Sequence, residues 1–237
     1  MPLTMYSLTQ PIFEDWSQDA CPAVLRSWNC GLLELPALGT HFGFVYEGHP
    51  TLYRNPGEAY ILHPGMYFSL PAKGYIDGKA SSGIVISRLE FQGMFSIGGA
   101  IESTGRFAYI DGGTNSLLIP PIYQGDPCLN ALYFPSGVEQ TLHTHPSYRI
   151  GIVVKGSGKC ETPNGSIDMK PGVVFLIPAD SLHKFRTIEE GLILVVFHPD
   201  SDIGFYHHNN PMIRRTIVEG VSAAELPQIQ TKVFKTI

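Results

Sequence analysis

Nine histidines are spread over the chain, and three of them have a spacing that could do chemistry. His143 and His145 are one residue apart in a segment that reads as a strand, so both side chains point to the same face. In a barrel, such a pair aims two imidazoles at one interior spot. His183, just after the turn Pro178-Ala179-Asp180, is placed to add a third nitrogen from a later strand. Three nitrogens on one side of an ion suit Fe, Mn, Ni, Cu or Zn and leave positions open for substrate or water. The expected cofactor is one divalent transition metal.

The elements that must position this triad read as strands. Short runs rich in Val, Ile, Phe and Tyr recur between Gly and Pro punctuation: Phe42–Tyr46, Ala59–Leu62, Gly83–Ser87, Ala131–Phe134, Arg149–Val154, Val173–Ile177 and Leu192–Phe197. Their spacing is that of an all-β sandwich or barrel. Helical periodicity is nearly missing. Ser222 with Glu225 three residues on has the pattern of a helix start, and Pro227 keeps that helix short.

The chain also matches itself. The stretch beginning at Gly43 can be laid on the stretch beginning at Gly151. Gly43, Val45, Gly48 and Gly57 fall on Gly151, Val153, Gly156 and Gly165; after one extra residue in the first copy, Pro64, Gly65, Phe68, Pro71 and Ala72 fall on Pro171, Gly172, Phe175, Pro178 and Ala179. Glycine and proline positions are those that turn geometry dictates, so their agreement predicts a repeated backbone. The expected boundary lies between Thr114 and Asp126, giving domains 1–120 and 121–237.

The second copy resembles the cupin superfamily. Gly137, His143, His145 and Gly156 have the spacing of its first motif, with Arg149 where the motif has Glu. Gly172, Pro178 and His183 have the spacing of the second, with Asp180 and Thr187 in place of Gly and Asn. The resemblance implies two tandem double-stranded β-helix, or jelly-roll, barrels, with His143, His145 and His183 as the metal ligands of the second. In the first copy the alignment puts Leu35, Ala37, His41 and Ile76 opposite His143, His145, Arg149 and His183, so no triad can be assembled. The first half is expected to be a degenerate barrel without metal, with His41, His49 and His63 as turn or barrel-mouth residues.

Arg149 is the departure with consequences. A guanidinium about 5 Å from a divalent ion repels it by roughly 6 kcal/mol at an effective dielectric of 20. Either metal is lost and the histidines hydrogen-bond in a polar pocket, or metal stays and Arg149 turns to a carboxylate such as Glu139 or Glu161, or to an anionic ligand. The second outcome is preferred. Arg149 is then the candidate catalytic residue, holding the anionic group of a small substrate. Among the other polar residues, Tyr148 has the opposite strand parity and is expected to point outward or to lie in the turn. His198 reads as a strand end, and His207, His208, Asn209 and Asn210 as a loop.

Composition narrows the function class. Sixteen Lys and Arg against 21 Asp and Glu leave a net charge of −5 with no basic run, which argues against nucleic-acid binding. The most apolar run, Leu192–Phe197, is far shorter than the roughly 20 residues of a membrane helix. Met1–Gln10 does not read as a signal peptide. Cys21, Cys30, Cys128 and Cys160 form no CxxC pair and read as small apolar residues, which suits a cytoplasmic protein. Charged residues at 16% and hydrophobic residues at 43% describe a chain that buries a core. The resemblance implies an enzyme of dioxygenase type that uses iron first among the candidate metals, with isomerase or lyase chemistry also within its range. The alternative is a non-catalytic bicupin that binds or senses a small anionic ligand. Homo-oligomerisation is compatible with either.

Overall fold

Gly43 and Gly151 explain how the strands stack. Gly43 stands in register with Phe68 and Gly151 with Phe175 on the neighbouring strand. A Cβ at either glycine would fall inside the facing ring, so each glycine is the space into which a phenylalanine lies. The self-alignment pairs these same four residues, and the matched Gly65 and Gly172 share a φ of 81°. The two stretches therefore repeat side-chain packing as well as turns.

The computed structural model describes residues 3–204 and 211–229. They divide into two compact units. The larger one runs to Pro120 and resumes over Pro127–Asp200. All seven expected strands are in it: Val173–Ile177 has the expected bounds, Glu58–Ile61 is shifted by one residue, and the other five are longer by one to three residues. A seven-stranded sheet has the order Thr4–Ser7, Val173–Ile177, Arg149–Gly156, Leu192–His198, Cys128–Phe134, Thr114–Ile119, Phe107–Ala108. A six-stranded sheet has the order Ser96–Gly98, Tyr67–Pro71, Thr40–Glu47, Ser82–Arg88, Ala23–Asn29, Phe13–Trp16. Two smaller sheets accompany them: Gly165–Met169, Gly158–Thr162, Lys184–Arg186, and Leu32–Leu35, Gly74–Asp77, Thr51–Asn55, Glu58–Ile61. The pairings are antiparallel throughout.

Three apolar clusters hold these sheets. Phe42, Phe44, Ile84 and Ile86 of the six-stranded sheet meet Ile150, Ile152, Val174 and Phe197 of the seven-stranded sheet in one cluster. The rings of Phe42 and Phe197 lie 5.1 Å apart. A second cluster contains Leu132, Val153, Phe175, Phe185, Leu194 and Val196, and a third contains Trp28, Leu35, Val45, Phe68, Leu70 and Ile76. The strand Leu192–His198 is apolar without alternation because it feeds two clusters: Val195 and Phe197 point one way, Leu194 and Val196 the other. Each such side chain, fully buried, stabilises the fold by about 1.5–3 kcal/mol.

The smaller unit comprises Pro121–Asp126 and the described residues from Ser201 onward. It contains the helix Pro211–Arg215, a short hairpin of Ile217–Val218 with Val221–Ser222, and two 3-10 turns. Ser222 Oγ accepts from the Ala224 amide at 3.3 Å, so the expected capping serine is in place, but it caps the 3-10 turn Ala223–Glu225 rather than an α-helix. Pro227 opens the next turn. His207, His208, Asn209 and Asn210 lie outside the described residues. No helix among the described residues is long and apolar enough to cross a membrane. Cys128 and Cys160 are buried as expected of small apolar residues, whereas Cys30 is exposed.

Candidate functional site

His143 and His183 approach each other through the backbone. Each amide donates to the other's carbonyl at 3.0 Å, forming a lone antiparallel bridge outside any strand. The expected strand at His143 is thus a single bridged residue. Ser147 and Tyr148 lead directly into the strand Arg149–Gly156. The same-face argument survives, since His143 and His145 are partly buried while Leu142, Thr144 and Pro146 are exposed. His145 is tied by its carbonyl to the Asp180 amide at 2.7 Å. Asp180 has φ of 56°, so this departure from the cupin motif keeps the left-handed turn that glycine would supply.

The three rings lie 4.6–5.2 Å apart by centroid, with one nitrogen of each within 4.8 Å of the others. His143 Nδ1–H donates to the Thr141 carbonyl and His183 Nδ1–H to the Ser181 carbonyl, each at 2.8 Å. A carbonyl can only accept, so these bonds fix the tautomer and leave each Nε2 with a free lone pair. That is how protein carbonyls orient metal-bound imidazoles. Burial, reinforced by Arg149 and the neighbouring imidazoles, brings His145 down to about 3. Burial brings His183 down to about 4, with His143 and Arg149 acting in the same direction against the Ser181 carbonyl. Both imidazoles are neutral at pH 7, the form that binds metal. The donor set therefore fits a divalent transition metal.

Arg149 opens its strand and is buried, 8% exposed. Ile150 and Ile152 point into the cluster between the large sheets, so Arg149 and Gly151 face the opposite side, where Gly151 meets Phe175. Its Nη1 donates to Ser147 Oγ at 2.6 Å and to the Ser147 and Tyr148 carbonyls at 3.0 Å each. The carboxylate beside it is Asp200, at 4.0 Å, whose Oδ1 also accepts from Ser147 Oγ. The expected partners Glu139 and Glu161 are committed elsewhere: Lys184 Nζ lies 2.6 Å from the first and 3.3 Å from the second, and Arg186 pairs with both. Cross-strand geometry decides this, because Glu161 stands opposite Lys184 and Glu139 bridges Arg186.

Other polar residues complete this end of the seven-stranded sheet. His198 ends its strand as expected, yet Arg149 and His145 both contribute, after burial, to holding its imidazole neutral. Its Nε2 lies 3.3 Å from Asn130 Nδ2. Asn130 Oδ1 and Gln140 Nε2 are buried with no hydrogen-bond partner among the described residues. Thr187, in place of the motif Asn, donates to the Pro135 carbonyl at 2.6 Å and accepts from the Val138 amide at 2.9 Å, pinning the turn before the histidines. Sequence reasoning missed Ser147, Asp200, Asn130 and Gln140; none carries a spacing signal, and only tertiary contact reveals them. Tyr148 lies in the connection before the strand and is buried rather than outward: its hydroxyl donates to the Cys21 carbonyl at 2.7 Å and its ring lies 5.9 Å from Trp16.

In the first half, the positions aligned with the triad are apolar. Leu35 and Ile76 are buried in the third cluster and Ala37 is exposed. Within the pairing, Ile76 stands opposite Leu33 rather than Leu35, and neither offers a ligand. His41 is a fully buried strand residue, not a mouth residue, bonded to Ser87 Oγ at 2.7 Å and the Pro36 carbonyl at 2.8 Å. His49 and His63 are in turns, their Nδ1 atoms 3.1 Å apart.

Comparison with known proteins bears on the same region. A family model described as an AraC-like ligand binding domain matches residues 137–204. Among solved structures, a cupin 2 conserved barrel domain protein from Leptotrichia buccalis is similar at 14% identity and TM-score 0.58, covering 83% of this chain and 88% of that one. A salicylate 1,2-dioxygenase from Pseudaminobacter salicylatoxidans is similar at 10% identity and TM-score 0.58, covering 83% of each chain. A variant of that dioxygenase in complex with gentisate is similar at 11% identity and TM-score 0.53, covering 74% of this chain and 67% of that one. No curated protein sequence matches the chain. These likenesses establish an all-β, jelly-roll fold of cupin type.

Proposed function

We propose that His143, His145 and His183 hold one divalent transition metal, iron first among the candidates, and that the protein is a dioxygenase-type enzyme acting on a small anionic molecule. The observation that carries the metal reading is the pair of carbonyl-anchored imidazoles with free Nε2 atoms beside a third ring. Bound there, such a metal supplies Lewis-acid and oxygen chemistry. The chain's own residues do the rest. Three neutral ligands cancel none of the ion's charge, and Arg149 adds another cation, so the site attracts an anion. Ser147 positions the guanidinium, Asp200 offsets part of its charge, and Asn130 and Gln140 offer an acceptor and a donor. The chain is, in the same proposal, a duplicated cupin of domains 1–120 and 121–237, and the first domain carries no metal.

Likeness to a salicylate dioxygenase, including one variant in complex with gentisate, makes hydroxybenzoates the first substrates to test. The experiment is oxygen uptake by iron-loaded protein with salicylate and gentisate. Uptake that disappears in His183→Ala is the expected result. Tight binding without uptake would favour the second reading, a sensor of small anions, which the AraC-like ligand-binding match over the triad's own segment supports.

A further inference from the structure

A cavity of about 1030 Å³ opens at the first half, lined by Arg26, Leu35, Tyr53, Arg54, Lys73 and Tyr75 among others. Its position follows from strand register. Arg26 lies between Val24 and Trp28 on one face of its strand, and Trp28 belongs to the apolar cluster that contains Leu35 and Ile76. Opposite Arg26 stands Val85, two residues from Ser87; in the seven-stranded sheet, Asn130 stands opposite Val196, two residues from His198. The first half therefore places a guanidinium where the second places an amide, and apolar side chains where the second places its triad.

The lining specifies a ligand. Arg26, Arg54 and Lys73 bring three cations against the single carboxylate Glu34. Arg54 is already engaged, 3.6 Å from Glu58 and over the Phe95 ring at 4.5 Å. Arg26 is half-buried; its guanidinium lies over the Phe13 ring at 5.4 Å, and its one side-chain hydrogen bond among the described residues goes to Ser87 Oγ at 3.3 Å. Ser87 faces His41, which adds no carboxylate, and no carboxylate lies within 4.0 Å of Arg26 among the described residues. A guanidinium carries five N–H donors, so Arg26 retains capacity for a carboxylate. Tyr53 and Tyr75, a cross-strand pair stacked at 4.4 Å with 11° between planes, also line the cavity. Volumes of this order hold drug-sized ligands.

We infer that this cavity is a second, metal-independent binding site for an aromatic carboxylate, the acid on Arg26 with Lys73 nearby and the ring against the Tyr53–Tyr75 stack. It does not rest on the metal reading, since none of these residues belongs to the triad.

The test titrates 2-naphthoate and its neutral amide, 2-naphthamide, into metal-stripped full-length wild type and His183→Ala. Saturable naphthoate binding in both, at least about tenfold tighter than the amide, is expected. Arg26→Met should weaken naphthoate about tenfold or more and leave the amide unchanged, with Arg26→Lys recovering part of the loss. Lys73 is exposed, so Lys73→Met tests the site without disturbing the fold and should weaken naphthoate by a few-fold. Absence of saturable binding to wild type, equal affinity for acid and amide, or unchanged affinity in both Arg26→Met and Lys73→Met would overturn the inference. Loss of naphthoate binding in His183→Ala would overturn it as well, by assigning the anion to the triad.

Discussion

At one end of the seven-stranded sheet, Arg149, His198 and Asn130 gather beside three histidines. At the corresponding end of the six-stranded sheet, His41, Ser87 and Arg26 gather beside Leu35 and Ile76. Register makes the comparison direct: Phe42 stands opposite Ile86 and His41 opposite Ser87, while Ile150 stands opposite Phe197, next to Arg149 and His198. The same strand ends thus carry a cation on different strands, and one set has imidazoles where the other has core. The difference teaches that backbone and chemistry separate cleanly. Phenylalanine-over-glycine packing is common to both, so a sheet end can exchange its side chains without losing the scaffold beneath.

The largest expected effect tests that common scaffold. Phe68→Ala and Phe175→Ala remove rings that are fully buried over Gly43 and Gly151, and each should cost about 3–5 kcal/mol in urea denaturation. Similar losses would sharpen the comparison. A negligible loss at one of them would break it.

Next in size is the anion. Arg149→Met should weaken salicylate binding to metal-loaded protein about tenfold, read by calorimetry, because a charge-assisted bond is lost. Metal content should hold or rise, since a repelling cation is gone. Unchanged salicylate affinity would remove Arg149 from the site.

Much of this was legible in the sequence, for reasons that can be named. Strands such as Leu192–His198 announce themselves by composition, and Gly43 with Gly151 by the self-alignment, although both are mid-strand glycines under a phenylalanine rather than the turn positions expected. The triad was legible because i, i+2 spacing survives even where the strand shrinks to a single bridge at His143. Arg149's partner was not. Asp200 lies 51 positions on, just past a strand end, whereas the nearer-looking Glu139 and Glu161 are taken by the cations opposite them. Pairing of charges depends on which strands are neighbours, and that information is not local. The inward turn of His41 was missed for a similar reason: its partners, Ser87 and the Pro36 carbonyl, become adjacent only on folding.

A smaller effect is expected at Asp200. Asp200→Asn removes the negative charge beside Arg149 and should tighten salicylate by about twofold to fivefold, the range of a weak ion pair. Weaker binding would mean that Asp200 is needed to hold the guanidinium in place.

The smallest effect belongs to the first half and is read by pH. Burial, with Arg26 adding to it, lowers the His41 pKa below its usual 6.5. The unfolded chain therefore takes a proton that the native one refuses. Native stability is complete above pH 6.5 and falls as pH drops below it, with a slope of at most about 1.4 kcal/mol per pH unit. His41→Gln should reduce, without abolishing, the fall of the urea midpoint below about pH 6.5, because His145, His183 and His198 are also held neutral by burial. An unchanged profile would show that His41 does not carry the dependence.

The central claim, one metal in one half, is tested most directly by elemental analysis of protein purified without a metal-affinity tag, wild type beside His183→Ala. The account predicts one equivalent of a divalent transition metal per chain in wild type and essentially none in the variant, because two remaining ligands seldom hold such an ion. Metal-free wild type, two equivalents per chain, or full occupancy after loss of His183 would contradict it.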